Sequence, residues 1–350
     1  MPDENRLPAK FPVFNERLEG LRDFVAGLES YYNDHFGFRK RLIRWNNHWK
    51  HELFLESSLP AVLTGRDGWL YYSGDGMIEN HLGTSPFQPD ELRQWQSLLE
   101  TRRDWLARRG IRYLFVIAPN KESIYPEFLP AWMAEAHSVS KLDQFFDYMK
   151  TNSTVEVVDL RLVLRVAKKT RRVYLKTDTH WNTDGAFVTH QELMRALSRQ
   201  LPVPAPLSPS SFKETFTDWK KGGDLARMLG QERTLIEQDA PSFTPLPPLQ
   251  PLQTNQAPLL LPSKKWDIAG PVFTENPNQT NTAIVFRDSF STSWIPFLGY
   301  YFGKVTYLWE ETWEPAFIEK EKPTVVIDEV LERFIYTRKP AELKIKDNLK

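Results

Sequence analysis

The chain has no cysteine among its 350 residues, which excludes disulfides, a thiolate nucleophile and zinc sites built on sulfur. A charge excess of either sign is also missing: 45 Lys plus Arg stand against 45 Asp plus Glu, so no overall field favours nucleic acid or an acidic polymer. Any recognition by charge has to be local. No apolar run approaches the roughly 20 residues of a membrane span, and residues 1–12 lack the apolar centre of a signal peptide. These absences predict a soluble chain with no nucleic-acid partner. No internal repeat is visible.

What is present is aromatic and proline-rich. The chain carries 12 Trp and 26 Pro. Tryptophan supplies core bulk or a flat face for a sugar ring, and core is the more common use. The prolines cluster between residues 201 and 264, notably at 245–251 and 258–262. Proline serves neither central strands nor helix interiors, so this stretch is expected to be an extended surface insertion, a wrapping loop or lid.

Around that insertion the periodicity is regular. Residues 1–110 read as mostly helical, with helices over 15–32, 39–54 and 89–109, and a turn at Gly65-Arg66-Asp67-Gly68 leading into a short aromatic strand at 69–72. Strand candidates follow at 112–117, 155–160, 172–175, 282–286, 304–308 and 324–327. Helical patterns lie between several of them, at 142–150, 183–199 and 291–301. Such alternation predicts a single α/β domain over 1–350, with a mostly parallel sheet and helices on both faces.

In the segment 282–292 a buried-strand pattern stops at Arg287-Asp288-Ser289 and a helical pattern begins. That places Ser289 at the carboxyl edge of the sheet, where open α/β sheets bind ligands. Helix-start amides there can also stabilise an oxyanion. The plainer alternative is a helix N-cap, since Asp and Ser are both preferred caps. The segment 173–185 has the same strand-to-helix character and carries Asp178-Thr179-His180. Histidine is the usual base for a serine nucleophile, and a carboxylate holds its tautomer, so Ser289, His180 and Asp178 form a candidate triad. A metal pair at Asp178 and His180, or a capping segment with His180 in the core, are the competing readings.

Four further candidates lie nearby. Asn120 follows the 112–117 strand and is a candidate oxyanion donor; Lys121 beside it is either an anchor for an anionic sugar or a solvated lysine. Trp181 either stacks on a sugar ring or wedges its loop. Arg287 stands just before the serine. The basic residues from Arg161 to Arg172 either hold a polyanion or form a solvated helix face.

At these residues the chain resembles the SGNH-hydrolase-like family of alginate O-acetylation proteins. The resemblance is carried, in order, by Glu4-Asn5-Arg6, 34–39 (DHFGFR), 65–71 (GRDGWLY), 118–126 (APNKESIYP), 178–182 (DTHWN), 287–290 (RDSF) and Glu332-Arg333. It implies a three-layer α/β/α domain of SGNH type, with Asp178, His180 and Ser289 as triad. Where many SGNH enzymes have glycine before Asp-Ser this chain has Arg287, which leaves the oxyanion hole open. The expected reaction is acetyl transfer to a polysaccharide hydroxyl, with no cofactor and no metal. A deacetylating esterase and a non-catalytic polysaccharide-binding component are the alternatives. The resemblance also implies a periplasmic location, a membrane-bound acetyl-donating partner, a polysaccharide acceptor, and an N-terminal anchor preceding Glu4 that this chain lacks.

Overall fold

In the computed structural model the described residues are 10–12, 24, 27, 28, 31, 61–134, 138–249, 252–254, 272–309 and 315–340. Of the helix expected over 15–32, only Phe24, Gly27, Leu28 and Tyr31 are described, and these are helical. The helix expected over 39–54 and the motifs at 4–6 and 34–39 lie outside the described residues.

Eleven strands are described: β1 (Val62–Thr64), β2 (Leu70–Tyr72), β3 (Arg112–Ala118), β4 (Val157–Asp159), β5 (Phe212–Thr217), β6 (Ala240–Pro245), β7 (Gln253–Thr254), β8 (Val272–Glu275), β9 (Thr282–Phe286), β10 (Lys304–Leu308) and β11 (Val325–Leu331). Seven make one sheet in the order β4-β3-β11-β9-β10-β8-β7. The first five of that order run parallel, and β8 and β7 are antiparallel at one edge.

Side-chain alternation explains the three layers. Along β3, Leu114, Val116 and Ala118 enter one core with Phe187, Leu193 and Leu197 of the Thr183–Ser198 helix. Tyr113, Phe115 and Ile117 enter the opposite core with Trp95, Leu98, Leu99 and Leu106 of the Pro89–Ala107 helix and Phe145 of the Lys141–Asn152 helix. A strand buried on both faces reads as a continuous apolar run, and 113–118 is one. Each fully buried side chain of this size contributes about 2–3 kcal/mol relative to exposure. Two layers of helix on a mostly parallel sheet is the expected α/β/α architecture.

Three expectations change. Residues 172–175 are not a strand of the sheet: Tyr174 makes an isolated bridge to Trp181, because this backbone pairs within its own turn. The helix expected over 291–301 is a 3-10 turn, Phe290–Trp294, followed by a short helix, Ile295–Leu298. Pro296 lacks the amide that would extend an α-helix through it. The insertion is not featureless either, since β5 and β6 pair antiparallel and a short helix, Asp224–Met228, lies between them. That helix packs Leu225, Ala226 and Leu229 against Val62 and Leu70 of the first hairpin, so the insertion shares a core with the N-terminal part of the described chain.

Candidate functional site

The strand β9 ends at Phe286, and the Arg287 amide still pairs with the Leu308 carbonyl of β10 at 3.0 Å. Asp288 then turns inward. Its Oδ1 accepts from the Phe290 amide and its Oδ2 from the Leu331 amide, each at 2.8 Å. Asp288 therefore does the capping, and the Ser289 side chain makes no cap bond. Instead Ser289 Oγ lies 2.7 Å from His180 Nε2.

His180 arrives on a turn rather than a sheet strand. The Leu175 amide donates to the His180 carbonyl and the Asn182 amide to the Val173 carbonyl, both at 3.1 Å. Asn182 caps the following helix through Gly185, and a Cβ at Gly185 would come within 2.3 Å of the Val173 carbonyl oxygen, so only glycine fits. Asp178 Oδ1 then meets His180 Nδ1 at 2.6 Å and accepts from the His180 amide at 3.0 Å. Ser289, His180 and Asp178 thus lie in one hydrogen-bonded series.

The electrostatics fit that series. Burial opposes ionisation of Asp178, but the His180 charge, its ring N–H and the amides of Asp224 and His180 outweigh it and hold the carboxyl well below the usual range. Burial pulls His180 down, while the charge and hydrogen bond of Asp178 and the charge of Asp224 pull harder, so its pKa is raised. Asp178, His180 and Asp224 present ligand-type atoms within 4.8 Å of one another. The 2.6 Å separation of Asp178 Oδ1 and His180 Nδ1 is a hydrogen bond; two ligands each about 2 Å from a tetrahedral ion stand about 3.3 Å apart.

The other candidates divide: Asn120 lies at the expected edge and Trp181 takes the wedge reading, whereas Lys121 fits neither of its readings. Lys121 is neither a solvated lysine nor a free anchor for an anionic sugar: it is 3% exposed. Its Nζ donates to the carbonyls of Leu175, Lys176 and Asp178 at 2.9, 3.1 and 2.6 Å. Burial lowers its pKa to about 8, against the raising effect of Asp178 and its acidic neighbours. Trp181 is no sugar platform, being buried with Nε1 bonded to Ser293 Oγ at 2.6 Å and its ring stacked on Trp294. Arg287 is half-buried, donating to Thr292 Oγ1 at 2.8 Å with its guanidinium over the Trp309 ring, and burial lowers its pKa. Asn120 reaches the right edge. Its amide donates to Glu332 and its Nδ2 to the Tyr336 hydroxyl, and its side chain lines a narrow cleft with Thr179, Phe290, Glu122 and Arg333.

The basic run is exposed at Arg165, Lys169 and Arg171, as on a solvated face, and its other cations are braced by carboxylates. Arg161 bridges Asp159 and Asp143, Lys168 pairs with Glu127, Arg171 with Asp184 and Arg172 with Glu237. Four of the cations are thus already paired with carboxylates of this chain.

Two residues of the insertion were missed from sequence. Glu237 is fully buried and accepts from the Lys176 and Thr177 amides and the Thr177 hydroxyl. Asp224 donates its amide to Asp178 Oδ2 at 2.8 Å. The only local signal was Gly222-Gly223-Asp224, a tight corner in a proline-rich stretch.

A three-layer α/β domain with a serine, histidine and aspartate in series at the carboxyl edge of its sheet is the architecture of SGNH-type hydrolase-like proteins. Residues 62–276, more than half of the chain, match the family described as "ALGX: SGNH hydrolase-like domain, acetyltransferase AlgX", and the chain belongs to that family. Ser289 lies beyond the matched span. Among curated relatives, the probable alginate O-acetylase AlgJ of Pseudomonas syringae is 32% identical over 184 residues, 51% of this chain and 44% of the relative. The protein of the same name from Pseudomonas aeruginosa is 28% identical over 246 residues, 69% of this chain and 54% of the relative. The chain thus spans about half the length of the curated relatives it matches. The same fold is seen in Bacillus cereus PatB1, with a TM-score of 0.61 at 18% identity, covering 78% of this chain and 96% of that one. It is seen also in the O-acetyltransferase domain of Pseudomonas putida AlgJ, with a TM-score of 0.51 at 20% identity, covering 81% and 98%.

Proposed function

We propose that this protein is an O-acetyltransferase that moves an acetyl group onto a hydroxyl of an alginate-like exopolysaccharide. The observation that carries the reading is the 2.7 Å contact between His180 Nε2 and Ser289 Oγ, with Asp178 on the other ring nitrogen. The names of the curated relatives supply the acyl group and the polymer.

His180 takes the Ser289 proton as Ser289 Oγ attacks the acetyl carbonyl, and returns it to the leaving group as the acetyl-serine forms. The sugar hydroxyl then attacks that ester, with His180 again as base and Ser289 Oγ as leaving group. Asp178 orients the imidazole and stabilises its charge. The oxyanion is assigned to the Ser289 amide at the start of the 3-10 turn, and Asn120 serves as second donor only by turning its Nδ2 from the Tyr336 hydroxyl. Serine-based acyl transfer requires no cofactor.

The acetyl donor is expected to be a membrane-bound partner and the acceptor a polysaccharide, which places the reaction in the periplasm or at the outer face of the inner membrane. No helix among the described residues is long and apolar enough to cross a membrane. An acetyl esterase would use the same residues with water as acceptor. Incubating the protein with a chromogenic acetyl ester, with and without an alginate oligosaccharide, separates the two: acetylated oligosaccharide is expected, and release of acetate alone would assign the esterase. Failure of a sulfonyl fluoride to label Ser289, together with no ester turnover, would leave only a binding role.

A further inference from the structure

The insertion brings a second carboxylate behind the first. Its Gly222-Gly223-Asp224 corner runs so close to the base turn that a Cβ on Gly223 would lie 2.3 Å from the Asp178 Cβ. No other side chain fits there, and the close approach allows the Asp224 amide to reach Asp178 Oδ2 at 2.8 Å. The Asp224 carboxylate holds the residue between Asp178 and His180. Its Oδ1 accepts from the Thr179 amide at 2.8 Å and its Oδ2 from the Thr179 hydroxyl at 2.6 Å. That same Oδ2 stands 3.8 Å from His180 Nδ1.

We infer that Asp224 is a positioning residue for the candidate triad, clamping the Asp178-Thr179-His180 turn and adding its negative charge to the field at the imidazolium. The inference rests on His180 being the base. Thr179 is the link through which it works: Asp178 and His180 project from either side of it, so fixing its amide and hydroxyl fixes both. Asp178 is already engaged elsewhere, with its Oδ1 holding the His180 ring and amide and its Oδ2 the Asp224 amide, so the Thr179 amide and hydroxyl are held by Asp224 instead. The Thr179 hydroxyl also lies 3.3 Å from His180 Nδ1, between that nitrogen and Asp224.

No proton moves to Asp224 in this account. When His180 accepts the Ser289 proton at Nε2, positive charge spreads to Nδ1–H, which is hydrogen-bonded to Asp178 and attracted by Asp224. The charged groups that face His180 are Asp178 and Asp224, which raise its pKa, and Arg333 from the helix after β11, which lowers it. Ser289 and the Phe290 ring, 4.8 Å away between centroids, are neutral.

The test is a titration of the His180 ring by NMR in the full chain, for wild type, Asp224→Asn and Thr179→Val, with the pH dependence of acetyl-ester turnover measured alongside. Asp224→Asn removes the charge and keeps the shape. It is expected to lower the His180 pKa by about 1 unit, move the ascending limb of kcat/KM acidward by the same amount, and cut kcat roughly tenfold with little change in KM. Thr179→Val is expected to lower kcat while leaving the His180 titration in place. A His180 titration that is unmoved in Asp224→Asn overturns the inference, since a merely structural residue would give that result with only a lower Tm. If wild type transfers no acetyl group but hydrolyses the ester, and the titration moves as described, the inference stands and the acetyl-transfer reading fails. Asp224→Asn is preferred to Asp224→Ala, which also removes the acceptors that fold the Thr179 turn.

Discussion

Ser289 and His180 meet at 2.7 Å, but the two sides of that contact are built from different materials. Ser289 follows a strand that pairs on both sides with β10 and β11, and one carboxylate, Asp288, finishes the turn. The backbone ladder of the sheet delivers the nucleophile. The segment carrying His180 belongs to no sheet. Its carbonyls are gathered by Lys121, its amides by Glu237, the Val173 amide by the Tyr125 hydroxyl, and the Thr179 amide by Asp224. A nucleophile placed by backbone is hard to disturb from a distance, whereas a base placed by side chains from remote segments can be moved by a single substitution elsewhere.

The sharpest test removes the partners themselves. Ser289→Ala and His180→Ala are each expected to lower acetyl-ester turnover by roughly 10⁴-fold or more, and the double variant is expected to be scarcely worse than either, because the two act in one step. Rates for all three, with folding confirmed by circular dichroism, decide the matter. Losses that multiply in the double variant would mean that the residues serve separate steps.

Asp178→Asn comes next, at about three to four orders of magnitude in kcat with the fold intact, since the aspartate orients the imidazole without entering the covalent chemistry. The pH profile sharpens the same point. Because the His180 pKa is raised, the ascending limb of kcat/KM should lie above the ordinary histidine value of about 6.5, with activity lost as pH falls through it. The depressed pKa of Asp178 has a separate consequence for stability. Its contribution is fully present above the unfolded carboxylate value and is lost as pH falls toward the lower folded one. Acid unfolding followed by tryptophan fluorescence should therefore begin at higher pH in Asp178→Asn.

How much of this was legible in the sequence follows the same division. The run 113–118 and the segment 282–289 announced their strands and edge because a strand buried on both faces must be continuously apolar. Ser289 was readable for that reason. The strand β11 was read short, at 324–327, because Asp328 and Glu329 interrupt its apolar pattern; both are buried, with Asp328 paired to Arg102 and Glu329 accepting from the Asp288 amide. His180 was found through its chemistry, although the strand assigned to 172–175 is a turn. Lys121, Glu237 and Asp224 act on that turn across 57, 60 and 46 residues of sequence. Local pattern carries no record of such bonds, and a buried lysine looks in sequence like a solvated one.

Lys121→Met puts that distinction to a direct measurement. It would take from the Leu175 and Asp178 carbonyls the donor they share, while the Lys176 carbonyl keeps the Leu70 amide at 2.9 Å, at a cost of about 2–4 kcal/mol in stability. The turn should loosen and kcat fall by roughly 10 to 100-fold, while Ser289 stays on its strand. Thermal unfolding and ester kinetics report the two effects. A Tm drop with unchanged kcat would show that the turn does not need the lysine to place His180.

The smallest expected effect belongs to Trp181, next to the base but facing away from any ligand. Its indole is 2% exposed, stacks on Trp294 with centroids 5.6 Å apart, and donates to both Ser293 Oγ and the Phe290 carbonyl. Trp181→Phe keeps most of the volume and loses the N–H. The loss should cost about 1 kcal/mol, appear as a modest fall in Tm, and lower kcat a few-fold at most by loosening the Phe290 side of the nucleophile turn. KM for an alginate oligosaccharide should not change, because the ring has no free face to offer a sugar. A tenfold rise in KM with an unchanged Tm would be the signature of a stacking platform, and would contradict the buried wedge that joins the base turn to the nucleophile turn.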